Sequence, residues 1–298
     1  MTNISRSLLP FCLASALIKC ALAQGSSNSS TYNCPRALRS VAEGRASFNS
    51  TGTAPLRLGY EEQFYLTYAL EDQRADNLWF GEDVTGQYLG VYLSVPESFI
   101  GTRHANNTRF CMYMMPGRNA TSDDSEDDPA SCAGILSDEC YDAMLNATLR
   151  AMPERDNCPP MEGLREHCGF GTHVGRGAPS NFSDPTCTVD GLPGVDLPDG
   201  YRTYAGFTGT HILPPDPARD SFEVYDLRVR QPVPMLITNV REGGQGDMAI
   251  MCLAPSNVTE GSREPEGDFP PPAALSSTYR GSLALGVVMA GLTGCILS

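Results

Sequence analysis

Phe64-Tyr65-Leu66-Thr67-Tyr68-Ala69-Leu70 sets its larger apolar side chains mainly on even positions, the two-residue period of a strand with one buried face. Tyr88 to Val95 repeats the pattern, with Leu89, Val91, Leu93 and Val95 on one face, and Pro96 stops it. Arg109-Phe110-Cys111-Met112-Tyr113-Met114-Met115 reads as a third strand, ended by Pro116-Gly117. Strand character returns at Ser221 to Arg230, Met235 to Val240 and Met248 to Leu253, and Glu242-Gly243-Gly244-Gln245-Gly246 suits a hairpin turn between the last two. Turns at this spacing favour antiparallel pairing over a parallel α/β sheet.

One helix stands out between these blocks. Ser137 can cap it, Asp138 and Glu139 suit its positive N-terminal end, and Pro153 stops it. Tyr141, Met144, Leu145, Leu149 and Met152 share one face at helical spacing, which predicts a core-facing stripe, with Asn146 off it. Residues 153–217 hold ten prolines, ten glycines and three cysteines without sustained periodicity. The expected fold is therefore mainly β: an antiparallel β-sandwich with a Cys-rich, loop-rich insert, about 117–220, that carries one helix. Residues 34–256 form one disulfide-stapled ectodomain, because neither block of strands is large enough to fold alone.

Both termini speak to location. Residues 1–23 read as a secretory signal peptide, with Arg6 before an apolar core and Ala21-Leu22-Ala23 as the cleavage site. Residues 24–33 form a Gly/Ser/Asn-rich leader. Residues 257–277 are a polar, proline-rich stem, and 278–298 a tail whose apolar part, Leu283 to Leu297, has 15 residues with nothing basic after it. A spanning helix needs about 20 apolar residues. Small residues at Ser276-Ser277-Thr278, a polar spacer and a short apolar end instead match the signal for a glycosylphosphatidylinositol (GPI) anchor, with Ser276 as attachment site.

The compartment this implies suits the cysteines and the sequons. Removal of both ends leaves Cys34, Cys111, Cys132, Cys140, Cys158, Cys168, Cys187 and Cys252, an even set that predicts four disulfides; on the order of a hundred pairings are open. Asn28, Asn49, Asn106, Asn119, Asn146, Asn181 and Asn257 each begin an N-glycosylation sequon and are expected at the surface. The removed segments carry three cations (Arg6, Lys19 and Arg280) and no acid, so the net charge moves from −14 to about −17. An acidic chain without a basic patch argues against nucleic acid.

Motifs for nucleophilic or metal chemistry are missing. There is no C-x-x-C, G-x-S-x-G or H-E-x-x-H. His167 and His173 flank Cys168, which is expected to be oxidised, and the acidic run Asp123 to Asp128 lacks the ligand alternation and glycine of an EF-hand. Gly169-x-Gly171-x-x-x-Gly175 departs by one from a dinucleotide loop, so no cofactor is expected. Carboxylate pairs carry no local signature. The strand-associated candidates are Glu61, Glu62, Asp83 and Glu97, with Trp79-Phe80 as a sugar-stacking surface.

Phe110-Cys111-Met112-Tyr113-Met114, Asn119-Ala120-Thr121 and Cys132-Ala133-Gly134-Ile135-Leu136-Ser137-Asp138-Glu139-Cys140 together resemble a pattern in fungal GPI-anchored surface glycoproteins that have no assigned activity. The resemblance covers about 30 residues and implies no catalytic or metal-binding residue. The expected function is a GPI-anchored, N-glycosylated glycoprotein of the outer cell surface or wall, with an interaction or structural role. Its partners would be the membrane through a lipid anchor, and wall polysaccharide or another surface protein. The competing readings are a surface carbohydrate-active enzyme using a carboxylate pair, and a sensory or channel-associated ectodomain.

Overall fold

A computed structural model describes residues 34–271 apart from 75–76, 79–80, 83–84, 121–127, 149–157, 159, 162, 170–172, 176–181, 184, 214–220 and 241–245. Strands β1 (Ser50–Leu56), β2 (Phe64–Gln73), β5 (Thr85–Pro96), β8 (Tyr201–Leu213) and β11 (Asn257–Val258) form a five-stranded sheet in the order β11-β1-β2-β5-β8. Strands β6 (Arg109–Met114), β7 (His173–Gly175), β9 (Val233–Val240) and β10 (Gly246–Leu253) form a second sheet in the order β10-β9-β6-β7. Two short strands, β3 (Asn77–Leu78) and β4 (Gly81–Glu82), pair with each other. Every ladder is antiparallel, and the protein is mainly β.

The alternation in β2 and β5 determines what lies between the sheets. Phe64, Leu66, Tyr68 and Leu70 point the same way as Leu89, Val91, Leu93 and Val95 across the β2–β5 ladder. They share one core with Phe110, Met112 and Met114 of β6 and with Met235 and Ile237 of β9. Cys111 and Tyr113 of β6, with Met115 just after it, face a second core on the other side of that sheet. Burial on both faces explains why this strand reads as a near-continuous apolar run.

Helices close the outer faces. Helix α1 (Arg36–Ala42) and the 189–195 segment cover the five-stranded sheet through Leu38, Phe48, Ala69, Tyr92, Val189, Leu192 and Ala205. Helices α3 (Asp138–Thr148) and α4 (Leu164–Cys168) cover the four-stranded sheet, while the short α2 (Arg103–Asn107) lies between β5 and β6. Ser137 caps α3 as expected, its hydroxyl accepting from the Cys140 N–H at 3.2 Å. The buried stripe of α3, however, is Cys140 and Met144 with Ala143 and Ala147 against it, and Tyr141 is 39% exposed. A disulfide from Cys140 to Cys168 turns the helix so that the i, i+4 pair Cys140 and Met144 faces the sheet. The expected helical positions 149–152 lie outside the described residues.

Two further expectations are corrected. Ser221 to Arg230 is not a strand: Glu223–Arg230 is helix α5, with Glu223 and Asp226 in its first turn and Arg228 and Arg230 in its last. Val224, Tyr225 and Val229 bury one helical face, and this charge order suits the helix dipole. The loop-rich insert, moreover, contributes strands β7 and β8, and among its described residues holds two α-helices, α3 and α4, rather than one. Its 13-residue strand β8 pairs along the whole of β5. Gly206 permits the close approach, because a Cβ there would stand 2.2 Å from the Met112 methyl and 2.9 Å from the Val91 carbonyl oxygen. That glycine and the neighbouring threonines are what hid the strand from a hydrophobic-period reading.

The eight cysteines among the described residues all pair: Cys34–Cys187, Cys111–Cys158, Cys132–Cys252 and Cys140–Cys168. Three of these bridges lie in the second core: Cys111–Cys158 and Cys132–Cys252 tie residues 158 and 132 to β6 and β10 of the four-stranded sheet, and Cys140–Cys168 joins α3 to α4.

Candidate functional site

The carboxylates singled out above are only partly gathered. The pairing of Tyr65 with Ser94 sets the start of β2 beside the end of β5, so Glu61, Glu62 and Glu97 belong to the same end of the sheet. Glu97 is not free there: Arg202 donates to it at 2.7 Å and also bridges to Asp190. Glu61 is exposed and Glu62 half-buried. Asp83, Trp79 and Phe80 lie outside the described residues, as does the acidic run up to Asp127.

The histidines separate as well. His167 on α4 pairs with Glu139 on α3 at 2.9 Å, beside the disulfide that joins the two helices. His173 is on β7, opposite Met114. Among the described residues no group of three or more His, Cys, Asp and Glu is placed to hold a metal ion.

A polar cluster surrounds α5, where no sequence motif pointed. Asp72, with its side chain 4% exposed, accepts from Arg74 Nε at 2.5 Å and from Gln87 Nε2 at 2.9 Å. Arg74 also donates to the Ser221 carbonyl at 3.0 Å, and its guanidinium lies 3.9 Å from the centre of the Phe222 ring. A second cation, Arg263, lies 4.5 Å from that ring and reaches both oxygens of Asp226 at 3.2 Å. Arginine over an aromatic face and a forked arginine–carboxylate pair both orient more tightly than a lone charge.

Electrostatics in the cluster follow from that geometry. Hydrogen bonds to Asp226 and then Glu266 hold the Arg263 guanidinium firmly protonated. Burial lifts the Tyr68 phenol to about 12, opposed by nearby Arg228, whose own pKa burial lowers. Burial, then Asp72 and Asp226, lifts Tyr225 to about 12. These phenols stay neutral at physiological pH, and Asp72 and Asp226 are held by arginines. The arrangement is that of a lock between segments. Its hydrogen-bonded partners lie up to 147 residues apart in sequence, so no local signal could have found it.

A single acid on the outer face of the five-stranded sheet behaves differently. Burial raises the Glu71 carboxyl above its ordinary 4.5, opposed by hydrogen bonds from the Gln73 side chain and the Ser47 backbone. The folded chain therefore binds this proton more tightly than the unfolded chain. The resulting stability is full below pH 4.5 and is lost as pH rises through the higher folded value. Glu71→Gln is accordingly expected to raise the melting temperature at neutral pH and to leave it nearly unchanged below pH 4.5, as thermal melts at both pH values would show. A lower melting temperature at neutral pH would mean that the ionised carboxylate is stabilising.

The sequon asparagines fall into two groups. Asn106, Asn119, Asn146 and Asn257 are exposed. Asn49 is half-buried, its Oδ1 accepting from the Asp72 N–H at 2.7 Å and its Nδ2 lying 3.5 Å from Ser262 Oγ. Asn28 and Asn181 lie outside the described residues. Fold and cluster together define a disulfide-stapled, antiparallel β protein. No protein-family model, curated protein or solved structure matches the chain.

Proposed function

We propose that this chain is a GPI-anchored, N-glycosylated glycoprotein of the outer cell surface, with an interaction or structural role and no catalytic centre. The four disulfides carry the reading: pairs that consume every cysteine of the expected mature chain suit folding on the oxidising secretory route. Four exposed sequon asparagines suit the same route. The tail supports an anchor by its sequence, and no helix among the described residues is long and apolar enough to cross a membrane. The resemblance to fungal surface glycoproteins points the same way.

A phosphatidylinositol-specific phospholipase is expected to release the protein from intact cells, and an N-glycosidase to lower its mass. Recovery of Cys295 in the mature polypeptide by mass spectrometry would sink the anchor reading. The enzyme alternative rests on Glu62 and Glu97 sharing one end of the sheet. Purified protein that turns over wall polysaccharide, and loses that turnover in Glu62→Gln while remaining folded, would overturn the non-catalytic reading.

A further inference from the structure

The segment that begins the proline-rich stem is part of the folded domain. Asn257 and Val258 add a strand to β1, opposite Thr51 and Ser50. The Thr259 N–H then donates to the Asn49 carbonyl at 2.9 Å. Arg263 is forked onto Asp226, and the Tyr225 hydroxyl donates to the Arg263 carbonyl at 2.6 Å. Arg230 holds the Glu266 and Gly267 carbonyls at 2.7 Å each, with its guanidinium 5.5 Å from the Phe269 ring centre. Charge, aromatic and backbone contacts thus fasten about ten consecutive residues to β1 and α5.

This fastening changes the reach of any anchor. A free stem from Asn257 to Ser276 could extend roughly 65 Å, whereas nine residues from Asp268 to Ser276 extend only about 30 Å. That is comparable to the length of β2 itself, which has 10 residues and spans about 33 Å. The two ends of the domain are therefore not equivalent. Asn49, Arg74, α5 and the strap occupy one end; Glu61, Glu62, Glu97 and Arg202 occupy the other.

We propose that residues 257–267 act as a strap that seats the α5 end of the domain against the lipid surface and displays the Glu61–Glu97–Arg202 end outward. The orientation rests on the anchored reading; the strap does not. Two readouts on the full chain at the cell surface separate them. Trypsin applied to the mature protein, taken from cells by phospholipase or detergent or recovered from the medium, is expected to cut slowly after Arg263. Asp226→Asn, which removes the forked charge, is expected to speed that cut roughly tenfold. Arg230→Gln, which frees Glu266, Gly267 and the Phe269 ring but leaves Arg263 forked onto Asp226, is expected to give an intermediate rate and keeps the strap testable if Asp226→Asn folds poorly. Equal rates in all three would overturn the strap.

For the orientation, a genetically encoded fluorescent amino acid replaces exposed Glu223 in one version and exposed Glu61 in another. Energy transfer to a membrane dye is expected to be several-fold stronger from position 223, with the difference narrowed by Asp226→Asn. Equal or reversed transfer would overturn the orientation. Protein that remains on cells but resists the phospholipase would sink the GPI reading alone, because any attachment after Gly267 predicts the same difference. Protein found only in the medium would overturn the orientation, leaving the trypsin result to decide the strap.

Discussion

Replacing Cys132 and Cys252 together by alanine is expected to lower stability by up to about 5 kcal/mol, the loop-closure value for a bridge spanning 120 residues. That is a large share of the 5–15 kcal/mol that holds a typical domain together. It corresponds to a fall in melting temperature of about 10–20 °C for a domain of this size. The bridge ties the segment around Ala130, whose carbonyl accepts from the Cys252 N–H at 2.9 Å, to the outer edge of β10. Without the crosslink, that segment and the start of α3 lose their covalent hold on the sheet. The matching double replacement of Cys140 and Cys168, which are only 28 residues apart, is expected to cost about 3.5 kcal/mol. Secreted yield and thermal melts of both variants measure the order. A Cys140/Cys168 variant as damaged as the Cys132/Cys252 variant would mean that packing in the second core, and not loop length, sets the loss.

Phe182→Ala is expected to cost about 3–5 kcal/mol, because it removes a side chain that is fully buried between the two sheets. Its ring meets Phe99, Phe110 and Tyr204 edge to face, with centroids 4.9 to 5.7 Å away. Phe110 belongs to one sheet and Tyr204 to the other, so this single ring bridges the layers. Its backbone is held too: the Phe182 N–H donates to the Ala105 carbonyl at 3.2 Å, and the Gly101 N–H donates to the Phe182 carbonyl at 3.0 Å. Denaturant titration of the secreted variant should show a lower midpoint with an unchanged slope. A loss below about 1 kcal/mol, typical of surface positions, would mean that the ring does not plug the core.

Phe182 also shows where the limit of sequence reading lies. It sits in a stretch dense with glycine and proline, as the middle residue of the Asn181-Phe182-Ser183 sequon, and nothing local marks it as core. The same limit hid β8: a strand rich in threonine and glycine is recognisable only by the partner it pairs with, here the whole length of β5. In α5 a short segment with apolar residues at 222, 224, 225, 227 and 229 fitted both periods. The docking of Tyr225 and Val229 into the main core, with the pairing of Asp226, settled it as a helix. The three candidate carboxylates that are described share a sheet end, but Arg202, about a hundred residues from Glu97, had already engaged one of them.

By itself the amino-acid sequence determined the class of the fold, because alternation in β2 and β5 states which face must leave water whatever the partner. It also supplied the even cysteine set, the Ser137 cap and the expectation of a secreted, anchored chain. The tertiary structure decided which cysteines pair, which of the described sequons is drawn into packing, and that the start of the stem is a strap on α5. Each of these depends on contacts between residues tens to hundreds of positions apart. Local periodicity encodes burial, whereas closing such a contact depends on the whole chain's balance of packing against entropy.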